Sequence, residues 1–181
     1  MILYILYIFL SPVLFATILV SSLFNEKIRH RLLNQRVAIN NSLKTIKSNK
    51  NNRNIIILHA ASAGEMEQIK PILRCIDKSK FVSLVTYSSP SVSKHLPLNL
   101  ADTFCYLPFD FIWSVFPFLY KIKPKKIIIT RHDVWPNFIL ISKLLNINLL
   151  LVNANLHKKS KRLLPLVRGF IALMYRNFDL I

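Results

Sequence analysis

An α/β fold built on a mostly parallel sheet is what this 181-residue sequence predicts, and three observations carry it. From Ile55 onward, short apolar runs alternate with segments of helical spacing, the rhythm of βαβ units. The run Ile55-Ile56-Ile57-Leu58 passes directly into His59-Ala60-Ala61-Ser62-Ala63-Gly64-Glu65, a strand leading through small residues into a helix start. The chain is 52% hydrophobic, and its length suits one domain with a real core but not two large ones.

The elements follow in order. Residues Met1 to Asn25 carry no charged side chain, and most are Ile, Leu, Phe, Val or Tyr. A helix of that length can cross a hydrocarbon core, which needs about 20 residues. A secretory signal would place Lys or Arg ahead of its apolar core, and none is present. The basic cluster Lys27, Arg29, Arg31 and Arg36 comes afterwards instead, and the positive-inside bias then puts the rest of the chain in the cytoplasm. Residues 1–25 are therefore expected to be a membrane anchor, tilted or only partly inserted if Pro12 kinks it. Residues 26–54 read as a basic amphipathic stretch that lies on the membrane surface or packs on the domain edge. That stretch ends in a polar linker, Lys47 to Asn54.

Residues 55–181 form the globular part. Its strands are expected at Ile55–His59, Phe81–Tyr87, Thr103–Leu107, Lys126–Thr130 and Asn148–Val152, with helices at Glu65–Ile76, Phe111–Tyr120 and Val134–Leu145. Right-handed crossovers bring every loop that follows a strand to one sheet edge. His59–Glu65, Tyr87–Ser93, Pro108–Asp110 and Arg131–Asp133 are expected to meet there. Phe178-Asp179-Leu180-Ile181 reads as the start of a further strand, as if the sequence stopped inside a longer one.

A formal charge of +17 and a pI near 10.2 call for an anionic partner. The mean hydropathy of +0.37 is too apolar for a simple nucleic-acid binder, so nucleic acid is not expected. Only eight acidic residues face twenty-five Lys and Arg, which singles out Glu65 in a first helical turn. There the helix dipole favours a carboxylate, either as a general base or simply as a helix stabiliser. Ser62 offers a rival: Ala60-Ala61-Ser62-Ala63-Gly64 is a degraded G-x-S-x-G elbow, followed in chain order by Asp133 and His157. His59, His132 and Asp133 lack a recognisable metal-ligand spacing, Cys75 and Cys105 show no paired motif, and no glycine-rich phosphate loop is present. No metal or cofactor is expected. The run His157 to Arg162 reads as a solvated basic face suited to anionic headgroups, and Phe109, Phe111, Trp113, Phe116 and Phe118 as an aromatic stripe belonging mostly to the core.

Four motifs occur together: His59 to Glu65, Leu107-Pro108-Phe109-Asp110, Asp133-Val134-Trp135-Pro136-Asn137 and Asn153-Ala154-Asn155-Leu156. With them the chain resembles the N-terminal domain of 3-deoxy-D-manno-octulosonic acid (Kdo) transferases. The resemblance implies the Rossmann-like N-terminal half of a GT-B glycosyltransferase on the cytoplasmic face of the inner membrane. It implies transfer of Kdo from CMP-Kdo to a lipid A precursor, inverting and metal-independent, with the donor held mainly by a C-terminal domain that this sequence lacks. The isolated chain is then expected not to complete transfer at a normal rate. Glu65 falls on the family's general base, and Ser62, Gly64, Arg131 and Asp133 fall at the substrate. Arg131 stands where the family carries the first acid of an acid-x-acid pattern, and only the second survives, as Asp133. Two alternatives remain from the residues themselves: a serine hydrolase using Ser62, and a non-catalytic membrane tether for anionic polymers.

Overall fold

The computed structural model describes residues 2–131, 133–155 and 164–181. Five strands, β1 (Asn54–Ala60), β2 (Phe81–Tyr87), β3 (Thr103–Tyr106), β4 (Lys126–Thr130) and β5 (Asn148–Val152), form one sheet in the order β3-β2-β1-β4-β5. Every neighbouring pair is parallel. This is a doubly wound sheet whose strand order reverses between β1 and β4. Leu180 makes a further parallel bridge to Leu150, on the outer edge of β5, as the apolar C-terminal residues led one to expect.

Continuous apolar runs make these strands because both sheet faces are covered. Ile56, Leu58 and Ala60 of β1 pack with Met66, Ile69 and Leu73 of α3 (Ala63–Arg74). Ile55 and Ile57 point the other way. They meet α4 (Ile112–Ile122), α5 (Pro136–Leu144) and α6 (Pro165–Tyr175) through a cluster that includes Leu119, Phe138 and Met174. The expected strands hold to within one residue at each end. The expected helix at Glu65 begins two residues earlier, because Ser62 caps it.

Two helices precede the sheet. α1 (Ile2–Phe24) is long and apolar enough to cross a membrane by length and composition. α2 (Glu26–Asn49) starts on Asn25, whose side chain accepts from the N–H groups of Lys27 and Ile28. α2 packs on the domain edge. Ile46 is buried in the core, and the Ser42 hydroxyl donates to the Phe104 carbonyl of β3 at 2.8 Å. α2 thereby covers an edge strand that would otherwise offer unpaired backbone groups. It also runs through Lys47–Asn49, so the polar break shrinks to a turn at 50–53 in which Asn51 and Asn52 take positive φ. α6 was not anticipated. The basic run 157–162 lies outside the described residues.

Candidate active site

The carboxyl ends of β1 and β4 separate at the point where strand order reverses, and Glu65 stands there. Ser62 is extended and caps α3, its hydroxyl accepting the Glu65 N–H at 3.3 Å. Glu65 turns back toward the strand, and its Oε2 accepts the Ala61 N–H at 2.8 Å. This reciprocal pairing is a variant of the capping box, with the acid reaching one residue beyond the cap. The Thr130 hydroxyl, at the end of β4, donates to the His59 carbonyl at 2.9 Å and lies 3.3 Å from the same Oε2. Oε1 takes no bond among the described residues. A half-buried carboxylate is thus fixed by one oxygen.

Gly64 sits on the exposed first turn beside it, and a Cβ built there would meet nothing within 4 Å. Its φ is not positive, so neither backbone conformation nor internal crowding demands glycine. The bare backbone faces open space.

On the other side of β1, His59 is fully buried. Its Nδ1 lies 3.0 Å from the Thr86 hydroxyl and its Nε2 2.5 Å from Asp133 Oδ2. Burial pushes the Asp133 carboxyl up, but the bond and charge of His59, with Arg31 nearby, outweigh it and hold the group below its ordinary value. Asp133 and His59 therefore form one polar unit spanning β2, β1 and the loop after β4. His132 lies outside the described residues, and among those described no three His, Cys, Asp or Glu side chains gather as a metal site would need.

Arg131 adopts φ 59° and is exposed, its N–H donating to the Val152 carbonyl at 2.9 Å. Its guanidinium makes no bond within the described chain. A different arginine, Arg31 of α2, enters the site. Nη2 donates to the Leu107 carbonyl at 2.8 Å, and the guanidinium lies 4.1 Å from the Phe109 ring centre. Burial lowers its pKa to about 10, against the opposing pull of Asp133. Arg31, Phe109, Asp110 and Trp135 line a largely apolar pocket of about 380 Å³, to which α1 contributes Leu14 and Ile18.

Asp110 explains why two of the sequence motifs occur together. α5 opens with Pro136 and receives no side-chain cap from Trp135. Asp110 supplies the cap from another element, accepting the N–H groups of Asn137 at 3.0 Å and Phe138 at 2.8 Å. Asn137 donates back to the Asp110 carbonyl at 2.6 Å. Burial raises the Asp110 pKa to about 6 in spite of those donors.

The structure gathers Glu65, Ser62 and Gly64 at one point and Asp133 across β1 from them. Arg131 stands at the end of β4 without touching either group. The sequence placed none of Thr86, Thr130 and Arg31 in a site, and it carried Asp110 only as part of a motif and of a loop at the sheet edge. The hydrolase alternative loses its footing, because Ser62 is an extended helix cap and not a residue in a strained turn. The histidine that alternative named, His157, lies outside the described residues.

Fold and site together define a doubly wound α/β domain whose polar side chains converge at the switch point of a parallel sheet. Residues 31–181 match the family described as 3-deoxy-D-manno-octulosonic-acid transferase (kdotransferase), and the chain belongs to that family. It is 32% identical over 184 aligned residues to the 3-deoxy-D-manno-octulosonic acid transferase of Rickettsia bellii, covering 96% of this chain and 42% of the relative. The Haemophilus influenzae enzyme of the same name is 28% identical over 130 residues, 70% of this chain and 30% of the relative. The Aquifex aeolicus enzyme is 34% identical over 107 residues, 58% and 29% of the two chains. The chain thus spans well under half the length of these relatives.

Proposed function

We propose that this chain is the acceptor-side, base-carrying part of a Kdo transferase in lipopolysaccharide assembly. In this reading it is a Rossmann-like N-terminal half of a GT-B enzyme, working with a donor half that holds CMP-Kdo. The observation that carries the reading is Glu65: a half-buried carboxylate at the strand-order switch, tied by one oxygen to Ala61 N–H and Thr130. There it takes the proton from a hydroxyl of the lipid A precursor as that oxygen attacks the anomeric carbon of Kdo. The new bond forms opposite the departing CMP, which inverts the centre. General-base help of this kind supplies about 10²–10⁴ in rate, and the step as written draws on no metal or cofactor.

The surrounding groups suit that acceptor. Bare backbone at Gly64 and the cap hydroxyl of Ser62 line the approach to Glu65. Arg131 is exposed at the end of β4, where a guanidinium suits a lipid A phosphate or a Kdo carboxylate. Asp133, kept ionised and pinned by His59, orients the opposite wall. The net charge of +17 fits a bisphosphorylated lipid on an anionic inner membrane, with α1 holding the globular part at the cytoplasmic face.

The test is Kdo transfer from CMP-Kdo to lipid A precursor by this chain together with a family donor half. Glu65→Gln retains the Ala61 and Thr130 contacts through its amide oxygen, so the fold is kept. The expected result is a kcat lower by about 10²-fold or more with acceptor binding unchanged. Turnover equal to that of the unaltered enzyme overturns the reading.

A further inference from the structure

α1 has its polar groups on the wrong side for a helix in water. Its sheltered positions recur as Tyr4, Tyr7, Ser11, Phe15 and Ile18, one stripe of helical spacing turned toward the domain. Along that stripe Tyr4 donates to Asn137 Oδ1 at 2.9 Å, and Tyr7 donates to Asp110 Oδ2 at 2.9 Å. Ser11 is 2% exposed, and Phe15 packs edge-on against Phe111 and Trp113. The opposite face shows Ile2, Phe9, Val13, Val20 and Phe24, each more than half exposed. Thr17 and Ser22 turn their hydroxyls onto carbonyls of the preceding turn, which satisfies them without a water partner.

The docked length decides how this helix meets lipid. Contacts run from Tyr4 to Ile18, about 21 Å of axis at 1.5 Å per residue. A spanning helix needs nearly that whole length free for hydrocarbon. Spanning while docked would drag Asp110, Asn137 and the partly buried Arg31 to bilayer depth, where charged groups are costly.

The apolar face also continues off α1. Trp113 stacks on Phe111 at 4.9 Å and is half exposed, and Phe116 and Tyr120 follow it as a stacked, exposed pair on α4. Arg36 and Lys121 line the groove beside Trp113, and Lys27 and Arg29 are exposed just after α1 ends. Indole and phenol rings among cations suit the headgroup boundary of an anionic bilayer. A second copy of this chain would instead set like charges against like.

We propose that α1 lies in the plane of one leaflet, docked on the domain and half sunk in lipid, and that Trp113, Phe116 and Tyr120 of α4 form a second line of contact beside it. This rests on the membrane reading given above and narrows it, since the helix rests on the membrane and does not cross it. The sheet edge bearing Glu65 is then held at headgroup level.

Sealed vesicles with the cytoplasmic face outward, from bacteria expressing the full chain, give the test. In a Cys75→Ser background, a short polar tag bearing one cysteine is added ahead of Met1 and treated with a membrane-impermeant maleimide, and Cys75 of the unaltered chain, exposed on the domain, is the reference. Labelling of both without detergent is the expected result. Protection of the tag cysteine until detergent is added, with Cys75 of the unaltered chain still reactive, overturns the in-plane placement and leaves the membrane reading standing. In parallel, the purified chain is floated with vesicles of phosphatidylglycerol and phosphatidylcholine. Flotation weakened at least fivefold by the pair Trp113→Ser and Phe116→Ser, with unchanged circular dichroism, is expected. Unweakened flotation overturns the α4 contact, and no flotation even of the unaltered chain overturns the membrane reading and the inference together.

Discussion

Glu65 completes the hydrogen bonding of its own helix start and, in the proposed reading, also serves as the base. Gly64 separates these roles experimentally. A methyl group there meets no neighbour, and alanine is a better helix former than glycine. Gly64→Ala is therefore expected to leave thermal stability unchanged or raise it, by about 0.5–1 kcal/mol. If the bare backbone faces the acceptor, the same change lowers transfer by roughly tenfold, since small misplacements at a reacting centre are costly. Melting curves and transfer rates measured on the same variant check this, and full activity would show that no substrate passes over Gly64. Glu65 was legible in the sequence because an acid in a first helical turn, in a chain with eight acids, stands out. Thr130 and Thr86 were not legible: their partners lie 65 and 27 residues away, and only the parallel register sets the threonines beside them.

At the scale of elements, the informative object is a helix capped by another loop. α5 is stapled to the β3–α4 connection through Asp110, and α1 is fastened to the same carboxylate. Because the folded pKa of Asp110, about 6, lies above its ordinary 3.8, the native state holds this proton longer than the unfolded chain. The group's contribution to stability is complete below about pH 4 and is lost as the pH rises through 6, by up to about 3 kcal/mol. Asp133 acts elsewhere: its pKa is depressed, so its contribution holds above 3.8 and fails only in stronger acid. Urea unfolding from pH 4 to pH 7 is expected to show the Asp110 slope in the unaltered chain and a flat profile in Asp110→Asn. An unchanged slope in the variant would assign the titration to another group. The strands were readable because both faces of each are buried, which leaves long β-branched runs such as Ile55-Ile56-Ile57. α6 was not, since Gly169 and a Pro at its start disguise eleven residues that pack through Met174 and Phe170. The far end of α2 was mistaken for linker because Ser, Asn and Lys there look solvated, while Ile46 one turn earlier carries it into the core.

For the whole molecule, charge and greasiness act together. With +17 formal charges, attraction to an anionic surface is screened once the Debye length falls from about 10 Å at 0.1 M salt to about 3 Å at 1 M. Binding to anionic vesicles is expected to weaken several-fold over that range yet not vanish, because the outward face of α1 has no need of charge. Sedimentation at the two salt concentrations measures it, and complete release at 1 M would mean that the apolar face takes no part.

The tyrosine fastening of α1 also orders events in time. That helix leaves the ribosome ahead of the domain it docks on, and its seat is not complete until Asn137 has been synthesised, 133 residues after Tyr4. At synthesis rates of roughly 5–20 residues per second, the wait is on the order of ten seconds. Throughout that interval a greasy nascent helix has α2 beside it but not the domain surface that receives Tyr4 and Tyr7. Whatever shelters it meanwhile, bilayer or chaperone, must surrender one flank when the finished domain arrives.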